Sequence, residues 1–300
     1  PTVGLGPTPL YLPSGCDAKL VVALAAPARS QTQALLRGPD GWTASVGFTA
    51  GQSVAEVSVP AFPSGKGVIT AEVPGYRAGF TRYEVIRSDP ITVTSAADAG
   101  DGSLRAAITA ANGRLAAVRI GFADHLAGST IELATPLPAL KRAGTVIDGD
   151  INGDGRPDIT IMSKYGDIAQ GLDVRTSGVH LNGLALCGFR TTGLRLGTPA
   201  AHGNLVTSCH LGVNAARENS ALGQRYGIEI SDGASGNAIG RPGAGNFIAS
   251  NTRAGVALIG LGDAADPDNP FSTTGNSISA NAIGMAGLAP GGYANGDGVL

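Results

Sequence analysis

Between residues 150 and 158 the chain reads Asp150-Ile-Asn152-Gly-Asp154-Gly-Arg156-Pro-Asp158, with oxygen-bearing side chains at alternate positions. Hard divalent cations take oxygen ligands, and this spacing matches the first nine places of a Ca2+ loop. Asp150, Asn152, Asp154 and Asp158 would supply side-chain oxygens, and Arg156 its carbonyl. No helix signal flanks the segment and no Glu stands at the twelfth place, so it departs from the EF-hand pattern. Val146-Ile147 before it and Ile159-Thr-Ile161 after it read as strands, which makes a structural ion the expected occupant. A metal-free loop built of Asx turns accounts for the same residues.

A second acidic cluster, Asp263, Asp266 and Asp268 with Asn269, falls in a long insertion. Facing carboxylates can act as acid and base on a glycosidic bond, and a basic group beside a metal can drive β-elimination, so these are the candidate catalytic groups. Asp-Pro-Asp-Asn-Pro is equally the composition of an ordinary turn. His125, His180, His202 and His210 lack metal-ligand spacing, and Cys209 and His210, adjacent in a strand, point to opposite faces. Without a G-x-S-x-G elbow there is no reason to assemble a hydrolase triad. Arg225, Tyr226 and Tyr293 could line a sugar-binding face, although single exposed rings are commonly incidental.

These groups need a scaffold. Residues 1–88 carry short runs of strand period, Lys19–Leu24, Ser53–Val59, Gly67–Val73 and Tyr83–Ile86, punctuated by Pro60, Pro63, Pro74 and Gly75. This predicts a sandwich of about seven strands. Arg87-Ser-Asp-Pro90 reads as a hinge. Beyond it, Ser103 opens a helix in which Leu104, Ala107, Ile108 and Ala111 share one face, as expected of a cap on the open end of a stacked core.

From residue 171 two phrases recur. Gly-aliphatic-x-aliphatic begins at Gly171, Gly193, Gly227, Gly255 and Gly298, at intervals of 22, 34, 28 and 43 residues. Asn-x-aliphatic-x-x-(Asn/Cys) runs from Asn182 to Cys187, Asn204 to Cys209, Asn246 to Asn251 and Asn276 to Asn281. A coil of about 22 residues with insertions at its corners is solenoid behaviour. Side chains one rung apart would then stack about 4.8 Å from each other, and a column of Asn can satisfy its own buried amides. On this register Cys187 and Cys209 are stacked neighbours, either a small apolar column or a disulfide.

Asp101-Gly-Ser-Leu-Arg-Ala-Ala-Ile108, then Ala111-Asn112, Ile120-Gly-Phe122 and Thr145-Val-Ile-Asp-Gly149, resembles the opening segment of secreted bacterial β-helix proteins named for a C-S-L-R-E-A region. These are similar to pectate-lyase-like and polymorphic surface-protein helices. Gly102 stands for the Cys and Ala106 for the Glu. The stretch from Gly275 to Gly284 and on to Leu300 resembles that family's repeats. The resemblance covers about residues 90–300 and implies a right-handed parallel β-helix and secretion or surface display. The first 88 residues resemble the Ig-like modules that precede larger bacterial surface domains.

The expected fold is therefore all-β: an Ig-like sandwich over 1–88 and a right-handed parallel β-helix with a capping helix over 89–300, cut off in mid-coil at its C-terminus. The 21 basic and 23 acidic side chains provide no field to gather phosphate, which argues against nucleic acid. No apolar run is long enough for a membrane helix, and the start at Pro1 without Met reads as a trimmed, secreted chain. The expected function is a non-enzymatic, adhesin-like or ligand-binding scaffold whose partner is a glycan or a cell-surface ligand. The alternative is a carbohydrate-active enzyme, a polysaccharide lyase or hydrolase acting on an acidic glycan.

Overall fold

The computed structural model describes residues 1–6, 10–13, 18–59, 65–86, 90–114, 116–218, 224–260, 273–284, 295 and 297–300. The chain is mostly β and divides into two compact units, Pro1–Asp89 and Pro90–Leu300.

In the first unit, Val3–Gly6, Ala18–Leu24 and Val54–Val59 form an antiparallel three-stranded sheet. Leu10–Pro13, Gly79–Ile86, Gly65–Glu72, Thr32–Arg37 and Thr43–Phe48 form a second sheet in that order, with Leu10–Pro13 its single parallel strand. Leu20, Val22 and Val59 of one sheet and Leu36, Phe48 and Ile69 of the other share one apolar core. Alternation makes this possible: in Thr32–Arg37 the buried residues, Ala34 and Leu36, are two positions apart with exposed residues on either side. Thr32–Arg37 and Thr43–Phe48, flanking a short 3-10 turn at Pro39–Gly41, are strands that the apolar runs in the sequence did not reveal.

The second unit is built of three parallel sheets. The first runs Ile91–Val93, Arg119–Phe122, Val146–Asp148, His180–Asn182, Leu205–Thr207, Ala238–Ile239 and Ser277–Ile278. The second runs Thr130–Leu133, Ile159–Ser163, Leu184–Cys187, His210–Leu211, Phe247–Ile248 and Ala282–Ile283, and the third Gln170–Val174, Thr192–Gly197, Gln224–Ser231, Asn251–Ile259 and Asp297–Val299. From residue 146 onward the chain visits the three in strict rotation. Each pass lays one strand on its predecessor in every sheet, and Leu140, bridged to Val174, takes the third-sheet place in the pass before. Ile120, Ile147, Leu181, Val206 and Ile239 stack as one inward column, and Leu172, Leu194, Ile228 and Val256 as another.

The helix, Leu104–Gly113, buries Leu104, Ala107, Ile108 and Ala111 in that same core. Ser103 caps it by accepting from the Ala106 amide at 3.2 Å. Arg105 explains why the opening segment needs an arginine. Its guanidinium donates to the Asp98 carbonyl (3.0 Å), the Asp98 carboxylate (2.5 Å) and the carbonyls of Thr135 (2.8 Å) and Pro136 (2.5 Å). Asn112 donates to Ala139 O and accepts from Lys141 N, both at 2.8 Å, docking the segment that precedes the second turn.

The glycine phrase occupies equivalent places in the third sheet. Gly171, Gly193, Gly227, Gly255 and Gly298 lie one above another. A Cβ at Gly171 would stand 2.5 Å from Gly193 O, and one at Gly227 2.6 Å from Gly255 O, so the column has no room for a side chain up to Gly255, whereas at Gly298 the nearest atom is 3.9 Å away. At the corner leading into the first sheet, Gly144, Gly178, Gly203, Gly236 and Gly275 all take positive φ, between 62° and 73°, where other residues are strained.

The asparagines form three ladders, one at each corner. Asn204, Asn237 and Asn276 lead into the first sheet, with side-chain to side-chain bonds of 2.9 Å at both steps. Cys209, Asn246 and Asn281 lead into the second sheet. Asn246 Oδ1 accepts from the Cys209 amide at 2.9 Å, and Asn281 Oδ1 from Asn246 Nδ2 at 2.9 Å. Gln224, Asn251 and Asn295 lead into the third, with steps of 3.0 and 2.8 Å. The second and third members of each ladder also donate to a backbone carbonyl, as Asn246 does to Val206 and Asn281 to Ile239, which pairs them as burial demands, whereas Gln224 Oε1, at the start of the third ladder, has no hydrogen-bond partner among the described residues.

This arrangement corrects the register expected from the sequence. The two ends of an Asn phrase mark neighbouring corners, and Asn246 aligns with Cys209, not with Asn204. Asn182 belongs to no ladder: it lies on the outer side of the first sheet, bonded to Asp148 and Thr207. Cys187 and Cys209 are not stacked. His210 pairs with Ala185, so Cys209 is level with Leu184 and three residues, about 10 Å, short of Cys187. Both thiols are buried, with no disulfide between them.

Candidate functional site

Residues 150–158 form the corner insertion between the strands Val146–Asp148 and Ile159–Ser163. The side chains named as metal ligands share this one loop and face its backbone. Asp150 Oδ1 and Oδ2 accept from the amides of Asp154 (3.0 Å) and Gly155 (2.9 Å), and Asn152 Oδ1 accepts from Asp154 N at 2.9 Å. Asp158 Oδ2 takes the amides of Ile151 (2.8 Å) and Asn152 (3.2 Å), and Arg156 donates its amide to Asp154 Oδ1 at 2.9 Å. These are Asx-turn bonds. Three carboxylates against one arginine still leave the loop with an excess of negative charge, and an ionised carboxylate has about four acceptor positions of which only some are used. Among the described residues no group of three or more His, Cys, Asp or Glu side chains is gathered as a metal-holding set.

A polar chain that spacing alone did not reveal crosses the outer face of the first sheet beside this loop. Arg119 Nη2 pairs with Asp148 Oδ2 at 2.5 Å, and Asn182 Nδ2 donates to Asp148 Oδ1 at 2.9 Å. The Thr207 hydroxyl donates to Asn182 Oδ1 at 2.8 Å, which leaves its oxygen to accept from His180 Nε2 at 2.7 Å. The bonds run in one direction from His180 to Asp148 over three rungs, because Asp148, Asn182 and Thr207 occupy equivalent places in adjacent strands. Such chains polarise cooperatively.

His210 faces outward from the second sheet while Cys209, one residue earlier, is buried in the core, so the two do point apart as the strand period requires. The turn Asn214–Glu218 folds over the imidazole. Arg217 Nε donates to His210 Nε2 at 3.3 Å, and His210 Nδ1 donates to Asn214 O at 3.1 Å, which assigns the neutral Nδ1–H tautomer. Arg217 also stacks on Phe247, 4.6 Å from the ring centroid, and Ala215 N reaches Thr160 Oγ1 at 3.1 Å. Burial, then the nearby charges of Arg217 and Arg156, push the His210 pKa down to about 4. Burial likewise raises the Cys209 thiol to about 12.

The third sheet carries a ladder of charge on its outer face. Asp173, Arg195 and Glu229 are register partners, with Arg195 Nε on Glu229 Oε1 at 3.1 Å, Nη1 3.8 Å from Asp173 and Nη2 on Asp232, and Arg175 on Asp173 at 2.7 Å. Nearer the start of the strand that holds Glu229, and on the strand after it, the pattern changes: Arg225 and Arg253 both stand against Tyr226, their guanidinium carbons 5.5 and 5.9 Å from its centroid. Asp263, Asp266, Asp268 and Asn269, with Tyr293 and Cys16, lie outside the described residues. Compared with protein-family models and with curated proteins, the chain matches none.

Proposed function

We propose that residues 90–300 form a right-handed parallel β-helix behind an Ig-like module, and that the protein is a secreted or cell-surface scaffold presenting the outer faces of that helix to a ligand without turning it over. The observation that carries this reading is the set of three amide ladders and one glycine column. They commit buried polar groups of successive coils to register, which makes a stiff rod with laterally exposed sheets. The sheet rotation and the helix covering the first coils support the β-helix, as does the docking of Arg105 and Asn112.

The 150–158 loop is proposed as a structural Ca2+ site, with oxygens from Asp150, Asn152, Asp154 and Asp158 and the Arg156 carbonyl. The excess negative charge and unused acceptor capacity of the loop support this. Bound there, a divalent cation would neutralise the carboxylates and stiffen the corner. The second unit is expected to melt at a lower temperature after chelation and to recover with Ca2+, a response that Asp158→Asn removes. An unmoved melting temperature would leave the loop closed on its own amides.

Incubation with a panel of neutral and acidic polysaccharides, followed by product detection, tests the scaffold. Retention without shortened or unsaturated oligosaccharides is expected. Products that disappear with Asp263→Asn, Asp266→Asn or Asp268→Asn would overturn it in favour of a lyase or hydrolase on an acidic glycan.

A further inference from the structure

The outer face of the third sheet treats its arginines in two ways. Arg195 is enclosed by Asp173, Glu229 and Asp232, and Arg175 shares Asp173, so the lower part of the face is balanced. Arg225 and Arg253 are exposed, and among the described residues neither makes an ion pair; their common neighbour is the Tyr226 ring, which is itself buried. The backbone puts them there. Gln224 pairs with Asn251 and Tyr226 with Ala254, so the single residue Arg225 lies opposite two, Thr252 and Arg253. That bulge, rare between parallel strands, interrupts the side-chain alternation, and cations of two successive strands stand against one ring.

A regular ladder would set Arg225 against one partner, as Arg195 is set against Glu229. Here two positive groups share an aromatic platform, and among the described residues neither is paired with a carboxylate. The ring quadrupole attracts each guanidinium, while the two repel one another. An oxyanion placed between them would relieve that repulsion, and the planar guanidinium forks suit carboxylate and sulfate groups in particular. Tyr226 is too buried to stack on a sugar, so it holds the cations and does not present a face of its own.

We infer that Arg225, Tyr226 and Arg253 form a binding site for the carboxylate or sulfate groups of an acidic polysaccharide, held by the outer face of the third sheet. This rests on the ligand-presenting reading above and names its ligand class. A polysaccharide is favoured over nucleic acid because the cation pair is local, the chain as a whole carries a formal charge of −2, and among the described residues no accessible row of rings is present at this face for base stacking.

Affinity electrophoresis of the full chain in gels containing polygalacturonate, dextran sulfate, neutral dextran or duplex DNA tests the site, with products monitored in parallel. Retardation by one or both acidic glycans, weakened by added salt and absent with neutral dextran, is expected. Which of the two retards distinguishes carboxylate from sulfate as the source. The double variant Arg225→Gln/Arg253→Gln should lose at least tenfold in affinity, whereas Arg190→Gln, an exposed arginine elsewhere on the second unit, should not. Tyr226→Leu, which keeps both charges and removes their platform, should fall between. Equal binding by the double variant, an equal loss from Arg190→Gln, or retardation by DNA as strong as by the glycans would overturn the proposal. Cleavage of the glycan with the arginine dependence intact would overturn only the non-enzymatic reading.

Discussion

The two units of this chain solve the same problem, holding β-strands in register, by different means. In Pro1–Asp89 most pairs are antiparallel, the buried groups are almost all apolar, and Thr81 is the single buried polar side chain among the described residues. In Pro90–Leu300 all the strands pair in parallel, and the buried set includes Asn204, Asn237, Asn246, Asn251 and Gln224. Alternation of side chains is enough for the first unit, because a one-residue slip would expose its whole apolar face. Stacked coils meet nearly identical neighbours, so apolar contact alone distinguishes their registers poorly. A bonded amide is correct in one register only, and its cost when unpaired supplies the missing discrimination.

The comparison predicts its own sharpest test. Asn246→Leu removes the acceptor of the Cys209 amide and a partner of Asn281 while Thr81→Val touches one hydroxyl. The first should destabilise the second unit by about 3 kcal/mol or more and the second by about 1 kcal/mol or less, read by denaturant unfolding with hydrogen exchange locating the loss. Equal effects would remove the claimed division of labour.

The glycine column offers the next largest contrast. Gly227→Ala pushes a methyl against Gly255 O and the Ile248 side chain, and should cost about 2–3 kcal/mol by overpacking. Gly47→Ala in the first unit, where nothing stands within 4 Å of the added atom, should change stability by about 0.5 kcal/mol or less.

The outward His210 adds a pH dependence. Its folded pKa lies near 4, below the ordinary value of 6.5, with Arg217 and Arg156 the neighbouring charges. The unfolded chain therefore binds the proton first. Stability of the second unit is full above about pH 6.5, falls by up to about 3 kcal/mol as pH drops towards 4, and levels off below. His210→Gln should flatten that window; a profile that stays the same would show that the Arg217 clasp does not hold the imidazole neutral.

The smallest effect concerns the thiols. Cys187 and Cys209 should resist alkylation at pH 8 until the protein is unfolded, as peptide mapping would show, because both are buried and the Cys209 thiol is raised to about 12. A 187–209 disulfide in that map would contradict the register described above.

Much of the scaffold was legible in the residues. The helix face at Leu104, Ala107, Ile108 and Ala111 follows from period alone, and the glycine phrase marks equivalent places because crowding from Gly171 to Gly255 admits nothing larger there. The Asn phrases were harder to place. The same amide serves at all three corners, so its spacing cannot say which corner it occupies, and that ambiguity is what misaligned Cys187 with Cys209. The chain from His180 through Thr207 and Asn182 to Asp148 was illegible for a related reason: its bonded members lie 25 to 34 residues apart and meet only because connections of unequal length return the chain to the same parallel sheet.

By itself, then, the sequence determined the apolar periodicity, the glycine column and the acidic loop at 150–158, all of which depend on local sterics or on neighbours within a few residues. Tertiary structure alone decided which amide meets which, why Arg195 lies among carboxylates while Arg225 and Arg253 stand against a tyrosine ring, and how His210 comes under Arg217. Those outcomes depend on how many residues each corner inserts before the strand returns, and insertion length sets neighbours one rung apart without leaving a pattern in the residues between them.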